Sequence, residues 1–331
     1  MNDLLEVKDL CMYFHTGTKG LLKREKQYIY AVDGISFNLK KGETLGLVGE
    51  SGCGKSTVVR ALARLYTPTS GEVRLNGKSL DGLSKRELFE VRRNMQIVFQ
   101  NPYGSLNPRM TTGEIIAEPM RIYKKAGLLD MSDDDISLRV ESLMEMVGLL
   151  KHYKNRYPHE FSGGQRQRIG IARSIALSPQ VVLADEPVSA LDVSIQAQIL
   201  NLFKDIQSEL GLSYLFIAHD LAAVKFISDR IAVMYLGKIV EIGDYESLYS
   251  KPLHPYTQAL LSSAPIPDPK IEAKRQRIIL TGDVPSPNIR RPGCYFYDRC
   301  QYRMDKCKTT QPELKAVHKG NEEHKTACFL L

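Results

Sequence analysis

The chain has 331 residues, of which 43% are hydrophobic, and a formal net charge of +7. This length accommodates one large α/β domain with a smaller appendage, and the hydrophobic content is ample for a buried core. No apolar run approaches the roughly 18 to 20 residues of a membrane span, and the N-terminus lacks the build of a signal peptide. We therefore expect a soluble cytoplasmic protein rather than an integral membrane or secreted one.

The positive charge is concentrated in the last quarter of the chain. Residues 251–331 contain 14 lysines and arginines against 8 aspartates and glutamates, so this segment holds +6 of the +7. A basic tail of this kind fits a solvated surface, a contact with nucleic acid or a contact with an anionic membrane. Composition alone leaves these alternatives open.

Two alternating segments open the chain. Apolar and polar residues alternate over 5–13 and again over 31–39, which is the period of a half-buried strand. Tyr13 and Phe14 stand at the end of the first strand, where either ring could stack on an adenine base or pack on a sheet edge. Between the two strands, 17–28 is basic and is typical of a loop inserted into a hairpin.

The central feature of the sequence is a glycine-rich segment between a strand and a helix. Residues 45–48 form an apolar strand, 49–57 have the sequence GESGCGKST, and a helix is predicted over 58–65. This is the P-loop pattern in the strand–loop–helix setting that phosphate binding requires. Lys55 supplies a charge to the β- and γ-phosphates, and the Ser56 hydroxyl is placed to ligate Mg²⁺. The predicted ATP-binding residues of this segment are Gly49, Glu50, Ser51, Gly52, Cys53, Gly54, Lys55, Ser56 and Thr57.

Three further apolar strands end in polar side chains. Gln100 follows one of them and is placed to reach Mg²⁺ or the attacking water. Asp185 and Glu186 end another; Asp185 suits a contact with Mg²⁺, and Glu186 suits polarising a water for attack on the γ-phosphate. His219 ends the third strand, at the same predicted sheet edge, and we interpret it as functional for that reason.

Helices fill the middle of the chain. Residues 111–150 carry apolar side chains at helical spacing, and a further helix begins after Phe161. Its first residues are Ser162, Gly163, Gly164 and Gln165, which make a second anion-binding helix start. Two such starts in one chain predict one nucleotide between them. A closing hairpin is predicted around Gly237.

Taken in order, the P-loop, Gln100, FSGGQ, LADEP, SALD and His219 resemble the ATPase subunit of ABC transporters. The resemblance covers about 4–261. It implies an α/β fold of the P-loop NTPase (ABC ATPase) type, with an antiparallel β subdomain and a helical subdomain. We expect an ATPase domain over 1–250, with the helical subdomain at about 101–178, and a small Cys-containing extension over 251–331.

The resemblance also assigns roles that spacing alone does not. Such subunits pair head to tail, so Ser162, Gly163, Gly164 and Gln165 would serve the partner's nucleotide, and Asp192 would lie in the D-loop. The family register favours Phe14 over Tyr13 as the adenine-stacking aromatic. The catalytic set would then be Glu186, His219 and Gln100, with Mg²⁺ held through Ser56, Gln100 and Asp185.

Two features narrow the resemblance to the ATPases of oligopeptide and dipeptide importers. They are KPLHPYT at 251–257 with the Pro-rich basic extension after it, and NPYGSLNPRM at 101–110. The nearer match is the second of the two ATPase subunits that such importers carry. This implies ATP hydrolysis coupled to peptide import at the cytoplasmic face of the membrane. An importer for nickel or another small solute, and a soluble ABC ATPase acting on nucleic acid, are the alternatives.

The implied partners follow from the same resemblance. They are a second, homologous ATPase subunit in a heterodimer, two transmembrane permease subunits and an extracellular peptide-binding protein, with no nucleic acid. The region 100–150 would dock a cytoplasmic helix of a permease subunit.

Four of the six cysteines lie close together near the C-terminus, as Cys294, Cys300, Cys307 and Cys328. A tail of some 40 residues builds little hydrophobic core, so a bound metal would help to stabilise its fold. Four thiolates fit Zn²⁺ or an iron–sulfur cluster. The family resemblance favours a [4Fe–4S] cluster with a structural role. Zinc and metal-free thiols are the alternatives.

Overall fold

The computed structural model describes residues 3–19, 25–264, 277–318 and 321–331. Contacts divide the chain into two compact units, of which the first holds 39–44 and 80–218 and the second holds 3–38, 45–79 and the described residues from 219 on. None of the described helices is long and apolar enough to cross a bilayer. The predicted domain boundary between 250 and 251 stays a prediction.

The structure has the mixed α/β content that was predicted. The strands are β1 (Asp3–Lys19), β2 (Glu25–Lys40), β3 (Thr44–Val48), β4 (Ser70–Leu75), β5 (Lys78–Ser79), β6 (Met95–Val98), β7 (Val181–Asp185), β8 (Ser213–Ile217), β9 (Arg230–Tyr235), β10 (Lys238–Asp244), β11 (Lys315–His318) and β12 (Asn321–Thr326). The helices are α1 (Lys55–Leu62), α2 (Lys85–Arg92), α3 (Pro102–Ser105), α4 (Thr112–Lys125), α5 (Asp133–Met146), α6 (Gly163–Ile175), α7 (Val193–Leu210), α8 (Leu221–Ile227), α9 (Tyr245–Ser250), α10 (Pro255–Ser263) and α11 (Asp305–Thr309). Short 3₁₀ turns cover Lys151–Asn155, Pro158–Glu160 and Tyr297–Arg299.

The first unit combines three parallel strands with a group of helices. β7 pairs in parallel with β6 on one side and with β8 on the other. Every residue of β7 and β8 is buried, as expected for parallel strands covered on both faces. Among the helices, α4 packs against α5 and α6. Capping boxes at Thr111, Ser132 and Ser162 define where these three helices begin.

The second unit contains two groups of strands. One is an antiparallel sheet in the order β2-β1-β4-β5, which is the predicted β subdomain. In the other, β3 pairs in parallel with β9, with Leu45 opposite Arg230, and β9 pairs with β10 in the hairpin predicted around Gly237. The C-terminal strands continue this second group, because β12 pairs with β10 and β11 pairs with β12.

Two sequence-based predictions need correction. The segment 17–28 is not a loop throughout, because β1 extends to Lys19 and β2 begins at Glu25; residues 20–24 lie outside the described ranges. Residues of high β-propensity, such as Thr16, Tyr28 and Tyr30, favour strand here although the segment is polar and basic. The P-loop helix covers Lys55–Leu62 rather than 58–65. It starts directly after the left-handed residue Gly54, and Arg64, with φ of +56°, lies beyond its end.

Candidate functional site

The P-loop lies in the second unit, between the fully buried strand β3 and helix α1. Gly54 has φ of +111°, and a Cβ atom there would collide with the carbonyl oxygen of Ala31, so only glycine fits. The Lys55 ammonium is buried and donates to the carbonyl oxygens of Gly49 (2.8 Å) and Glu50 (3.1 Å). The loop thus holds its own lysine at the start of α1, where the helix dipole favours an anion.

Cys53 lies inside the P-loop but is not a reactive thiol in this structure. Its side chain is buried, and burial raises the pKa of the thiol despite the nearby Lys55 ammonium. Ser56 is half-buried in the first turn of α1.

Tyr13 and Phe14 have different surroundings within the second unit. The Tyr13 hydroxyl donates to Asp33 Oδ1 at 2.5 Å, and its ring packs edge-on against Tyr30. The Phe14 side chain has no hydrogen-bonding group, and its ring packs edge-on against Tyr66, which follows α1. Tyr13 is therefore anchored by its hydroxyl, whereas the half-exposed Phe14 ring is held by ring contact alone.

Asp33 is a hub, meaning a buried carboxylate that binds several side chains at once, and the sequence analysis did not identify it. This carboxylate is 1% exposed and accepts hydrogen bonds from the hydroxyls of Tyr13 and Tyr295, and it pairs with Lys238 at 3.0 Å. Burial alone would raise the pKa of Asp33, but these hydrogen bonds and the lysine charge lower it below its ordinary value. A charged residue at an inward position of an alternating strand is the signal that could have revealed it.

The predicted catalytic carboxylate lies in the first unit, at the end of β7. Glu186 has φ of +48°, a left-handed conformation that costs a non-glycine residue about 1 to 3 kcal/mol. The conformation is held from several sides: the Glu186 amide donates to Ile217 O at 3.0 Å, and the Ser189 hydroxyl donates to Glu186 O at 3.0 Å. Gln100 Nε2 donates to Glu186 Oε2 at 2.8 Å, so the structure brings these two predicted residues together.

Asp185 precedes Glu186 as the last residue of β7 and is 4% exposed. Its carboxylate offers the oxygen donors that Mg²⁺ prefers. His219 follows β8 and belongs to the second unit, where its side chain is exposed.

The SGGQ segment forms the start of α6 in the first unit. Ser162 is exposed and caps the helix, with its hydroxyl accepting from the Gln165 amide at 3.3 Å. Gly164 is buried, and a Cβ atom there would crowd the Ile195 side chain at 2.5 Å. Asp192 caps α7 by accepting from the Ile195 amide at 3.0 Å. Both predicted segments thus have a local capping role.

The four C-terminal cysteines of the second unit share one small pocket of about 20 Å³, whose lining includes Cys294, Cys300, Cys307, Cys328, His254 and Phe296. All four are free thiols, and the Cys294 amide donates to Cys307 O at 2.8 Å. Burial, followed by smaller effects that include the neighbouring thiols, raises the pKa of Cys294 to about 11. Over the described ranges, no three Cys, His, Asp or Glu side chains approach closely enough to hold a metal ion.

A second hub that the sequence did not reveal joins the extension to β10. Glu241 is fully buried; it accepts from the amides of Leu253 and His254, each at 2.9 Å, and contacts His324 Nε2 at 2.8 Å. Burial lowers the pKa of His254 to about 4, against the opposing effect of Glu241. The neutral His254 ring accepts the Tyr256 amide through Nδ1 at 3.0 Å.

Comparison with known protein families gives two matches along this chain. The family model described as ABC transporter matches residues 32–189, and the one described as oligopeptide/dipeptide transporter, C-terminal region, matches residues 240–307. The second match includes the start of the cysteine cluster.

Curated relatives match over nearly the whole length. The putative oligopeptide transport ATP-binding protein YkfD of Bacillus subtilis (strain 168) is 54% identical, over 99% of this chain and 95% of that protein. The oligopeptide transport ATP-binding protein OppF of Salmonella typhimurium is 51% identical, over 98% of this chain and 96% of that protein.

Solved structures share the fold. A dimeric, post-hydrolysis state of the ATP-binding cassette MJ0796, bound to ADP and Pi, is 30% identical with a TM-score of 0.63, covering 73% of this chain and 98% of that one. The cbiO1 protein of Clostridium perfringens, part of the ABC transporter complex cbiONQ, is 26% identical with a TM-score of 0.63, covering 76% of this chain and 92% of that one.

Proposed function

The chain belongs to the family of ABC transporter ATP-binding subunits, and from that membership we propose that its ATP hydrolysis drives the import of di- and oligopeptides. The observation that supports peptides as the cargo is the match of residues 240–307 to the C-terminal region of oligopeptide/dipeptide transporters. Full-length relatives at about half identity are named for oligopeptide transport. ATP hydrolysis itself is the activity of the family.

We assign the reaction to residues within each unit as follows. In the second unit, Lys55 and the P-loop amides hold the triphosphate, and the exposed His219 orients the γ-phosphate region. In the first unit, Glu186 takes the proton of the attacking water, and Gln100 orients that carboxylate through the 2.8 Å hydrogen bond. Phe14 is our choice for the adenine-stacking ring, because the Tyr13 hydroxyl is committed to Asp33.

Ser56, Gln100 and Asp185 are proposed as the ligands of Mg²⁺. They offer hydroxyl, amide and carboxylate oxygens, which are the hard donors that this ion prefers. Bound Mg²⁺ supplies charge neutralisation for the phosphates. The SGGQ segment and Asp192 are proposed to serve the nucleotide of a second, homologous ATPase subunit.

The partners and the location follow from the same proposal. A peptide importer needs permease subunits to form the path and a peptide-binding protein to deliver cargo. The chain would act on the cytoplasmic face of the membrane, attached peripherally through its permease subunits. A heterodimer with a homologous ATPase subunit is the pairing that we propose.

The cargo is tested by reconstitution. We expect proteoliposomes that contain the permease subunits, both ATPase subunits and the peptide-binding protein to accumulate a labelled tri- or tetrapeptide when ATP is enclosed with the ATPases. Omitting this chain should abolish uptake, and its Glu209→Gln variant, altered on the exposed surface of α7, should support uptake like the wild type.

Two outcomes would contradict the proposed cargo. Accumulation of Ni²⁺ or another small solute in place of the peptide would make the chain the ATPase of a different importer. ATP hydrolysis that is indifferent to the permease but stimulated by nucleic acid would make it a soluble ABC ATPase.

We further propose that the four cysteines hold a [4Fe–4S] cluster with a structural role. The support is that all four thiols line one small pocket, since four thiolates are the ligand set of a [4Fe–4S] cluster. One zinc ion takes the same four thiolates, so zinc is the alternative that metal analysis distinguishes.

Metal analysis of anaerobically purified protein tests the cluster. We expect about four iron and four acid-labile sulfide per chain with a broad absorption band near ~400 nm, because each thiolate ligates one iron. The Cys300→Ser variant should lose most of this iron. Cys11→Ala, which alters a buried cysteine of β1 that does not line this pocket, should retain it. One zinc per chain, or no metal at all, would contradict the cluster assignment.

A further inference from the structure

We propose that Arg299, in the C-terminal extension, is a positioning residue for ATP binding that acts by holding the P-loop through Glu50. Arg299 Nη1 donates to Glu50 Oε2 at 2.8 Å, and the Arg299 side chain is only 9% exposed. Both residues lie in the second unit. The inference rests on the proposed ATP site and does not depend on the proposed peptide cargo.

Glu50 is the second residue of the P-loop and is held at three points. Its side chain receives Arg299, its amide donates to the Tyr256 hydroxyl at 2.9 Å, and its carbonyl accepts from Lys55 Nζ at 3.1 Å. Two of these three contacts, those of Arg299 and Tyr256, come from residues beyond 250. Glu50, whose side chain Arg299 contacts, therefore also helps to position Lys55 through its carbonyl oxygen.

The ion pair between Arg299 and Glu50 can fix the position of the P-loop. An arginine in a partly buried ion pair has a fixed, directional geometry, unlike an exposed pair whose partners exchange with water. Arg299 also ends the 3₁₀ turn Tyr297–Arg299, directly before Cys300, so its backbone is set by the fold of the cysteine segment. When the cysteine segment is folded, it holds Arg299 in place, and Arg299 in turn holds Glu50 of the P-loop.

A second line of contacts reaches the same loop independently of Arg299. The Tyr295 hydroxyl donates to Asp33 Oδ2 at 2.8 Å, and the Asp33 amide donates to Gly237 O at 2.9 Å. The Gly237 amide in turn donates to Cys53 O at 2.9 Å. The extension therefore braces the P-loop near both Glu50 and Cys53, which identifies it as a support of the nucleotide site.

Loss of Arg299 should weaken ATP binding more than it slows turnover. A P-loop that is not held beforehand must be ordered when the triphosphate binds, and this cost reduces affinity. We expect Arg299→Gln to raise the Kd and KM for ATP by about tenfold, because ordering the loop on binding reduces affinity. The kcat at saturating ATP should change less than about threefold.

The test is a double-mutant cycle on the full-length chain. Arg299→Gln, Glu50→Gln and the double variant are compared with the wild type by equilibrium binding of a fluorescent ATP analogue and by steady-state hydrolysis. If the two side chains act as one pair, the double variant binds no more than about twofold weaker than either single variant. Arg299→Lys, which keeps the charge, should recover part of the affinity.

Matched controls separate positioning from damage to the cysteine segment. Arg303→Gln alters an exposed arginine three residues beyond Cys300. Its Nη1 donates to Asp298 O at 3.4 Å, and it is not bonded to the P-loop. This variant should leave ATP affinity unchanged. Metal content and thermal unfolding are measured for every variant; if Arg299→Gln does not fold, Glu50→Gln alone must show the loss of affinity.

Three outcomes would overturn the proposal: an ATP affinity of Arg299→Gln within about twofold of the wild type, independent effects of the two substitutions that multiply in the double variant, or an equal loss in Arg303→Gln. Absence of ATP binding by the wild type would instead contradict the proposed ATP site itself. The two failures are therefore distinguishable.

Discussion

Replacing Glu186 by glutamine should lower kcat for ATP hydrolysis by about 10²- to 10⁴-fold, the range expected when a general base is removed. The amide has nearly the shape of the carboxylate but cannot accept a proton from the attacking water. It can keep a hydrogen bond with Gln100, which lies 2.8 Å away in the wild type. The Kd for ATP should therefore stay within about threefold of the wild type, and the measurement is hydrolysis together with equilibrium binding.

Two controls sharpen this experiment. Glu209→Gln makes the same chemical change on an exposed face of α7 in the same unit and should not alter kcat. Gln100→Ala removes the donor that orients Glu186 and should give a smaller loss than Glu186→Gln. Wild-type turnover in Glu186→Gln would exclude Glu186 as the base, and loss of ATP binding would place its role in binding instead.

Replacing Glu241 by alanine should lower the free energy of unfolding of the second unit by roughly 3 kcal/mol or more. The change leaves the buried amides of Leu253 and His254 without their acceptor, and each unsatisfied group costs about 1 to 3 kcal/mol. His324, 7% exposed, also loses its carboxylate partner. Native-state hydrogen exchange is the suitable measurement, because it reports the opening of β10, β12 and α10 separately.

The matched control for Glu241 is Glu246→Ala, on the exposed surface of α9. That variant should change stability by no more than about 0.5 kcal/mol. Glu241→Gln, which keeps one acceptor oxygen, should lie between the two. If protection of β12 and α10 in Glu241→Ala equals that of the wild type, Glu241 does not hold the extension on β10.

The ATP-binding machinery was largely readable from the sequence because its chemistry depends on local spacing. The P-loop needs strand, glycines, lysine and helix in immediate succession, and all of them are found between Thr44 and Leu62. The family resemblance is confirmed by the full-length relatives. Glu186 could be named from LADEP, but its left-handed backbone could not, because that conformation depends on the Ile217 and Ser189 contacts.

Composition could not show which basic residues of the tail pair with carboxylates. The sequence interpretation left these cations free to face nucleic acid, a membrane or solvent. In the structure Arg299 pairs with Glu50, Arg291 with Asp298, and Arg290 lies 3.5 Å from Asp33. Charge counts record how many cations a segment has, but the carboxylates that pair with them can be more than 200 residues away in the chain.

The sequence by itself therefore determined the fold class, the P-loop, the identity of the candidate catalytic carboxylate and the grouping of four cysteines. Each of these depends on neighbouring residues and on periods of two or 3.6 that are visible along the chain. Only the tertiary structure decided that Asp33 and Glu241 are buried hubs and that Arg299 reaches the P-loop. Such contacts join residues far apart in sequence, and no local pattern encodes which distant partner a buried charge must find, because the pairing is set by how the strands and the extension pack.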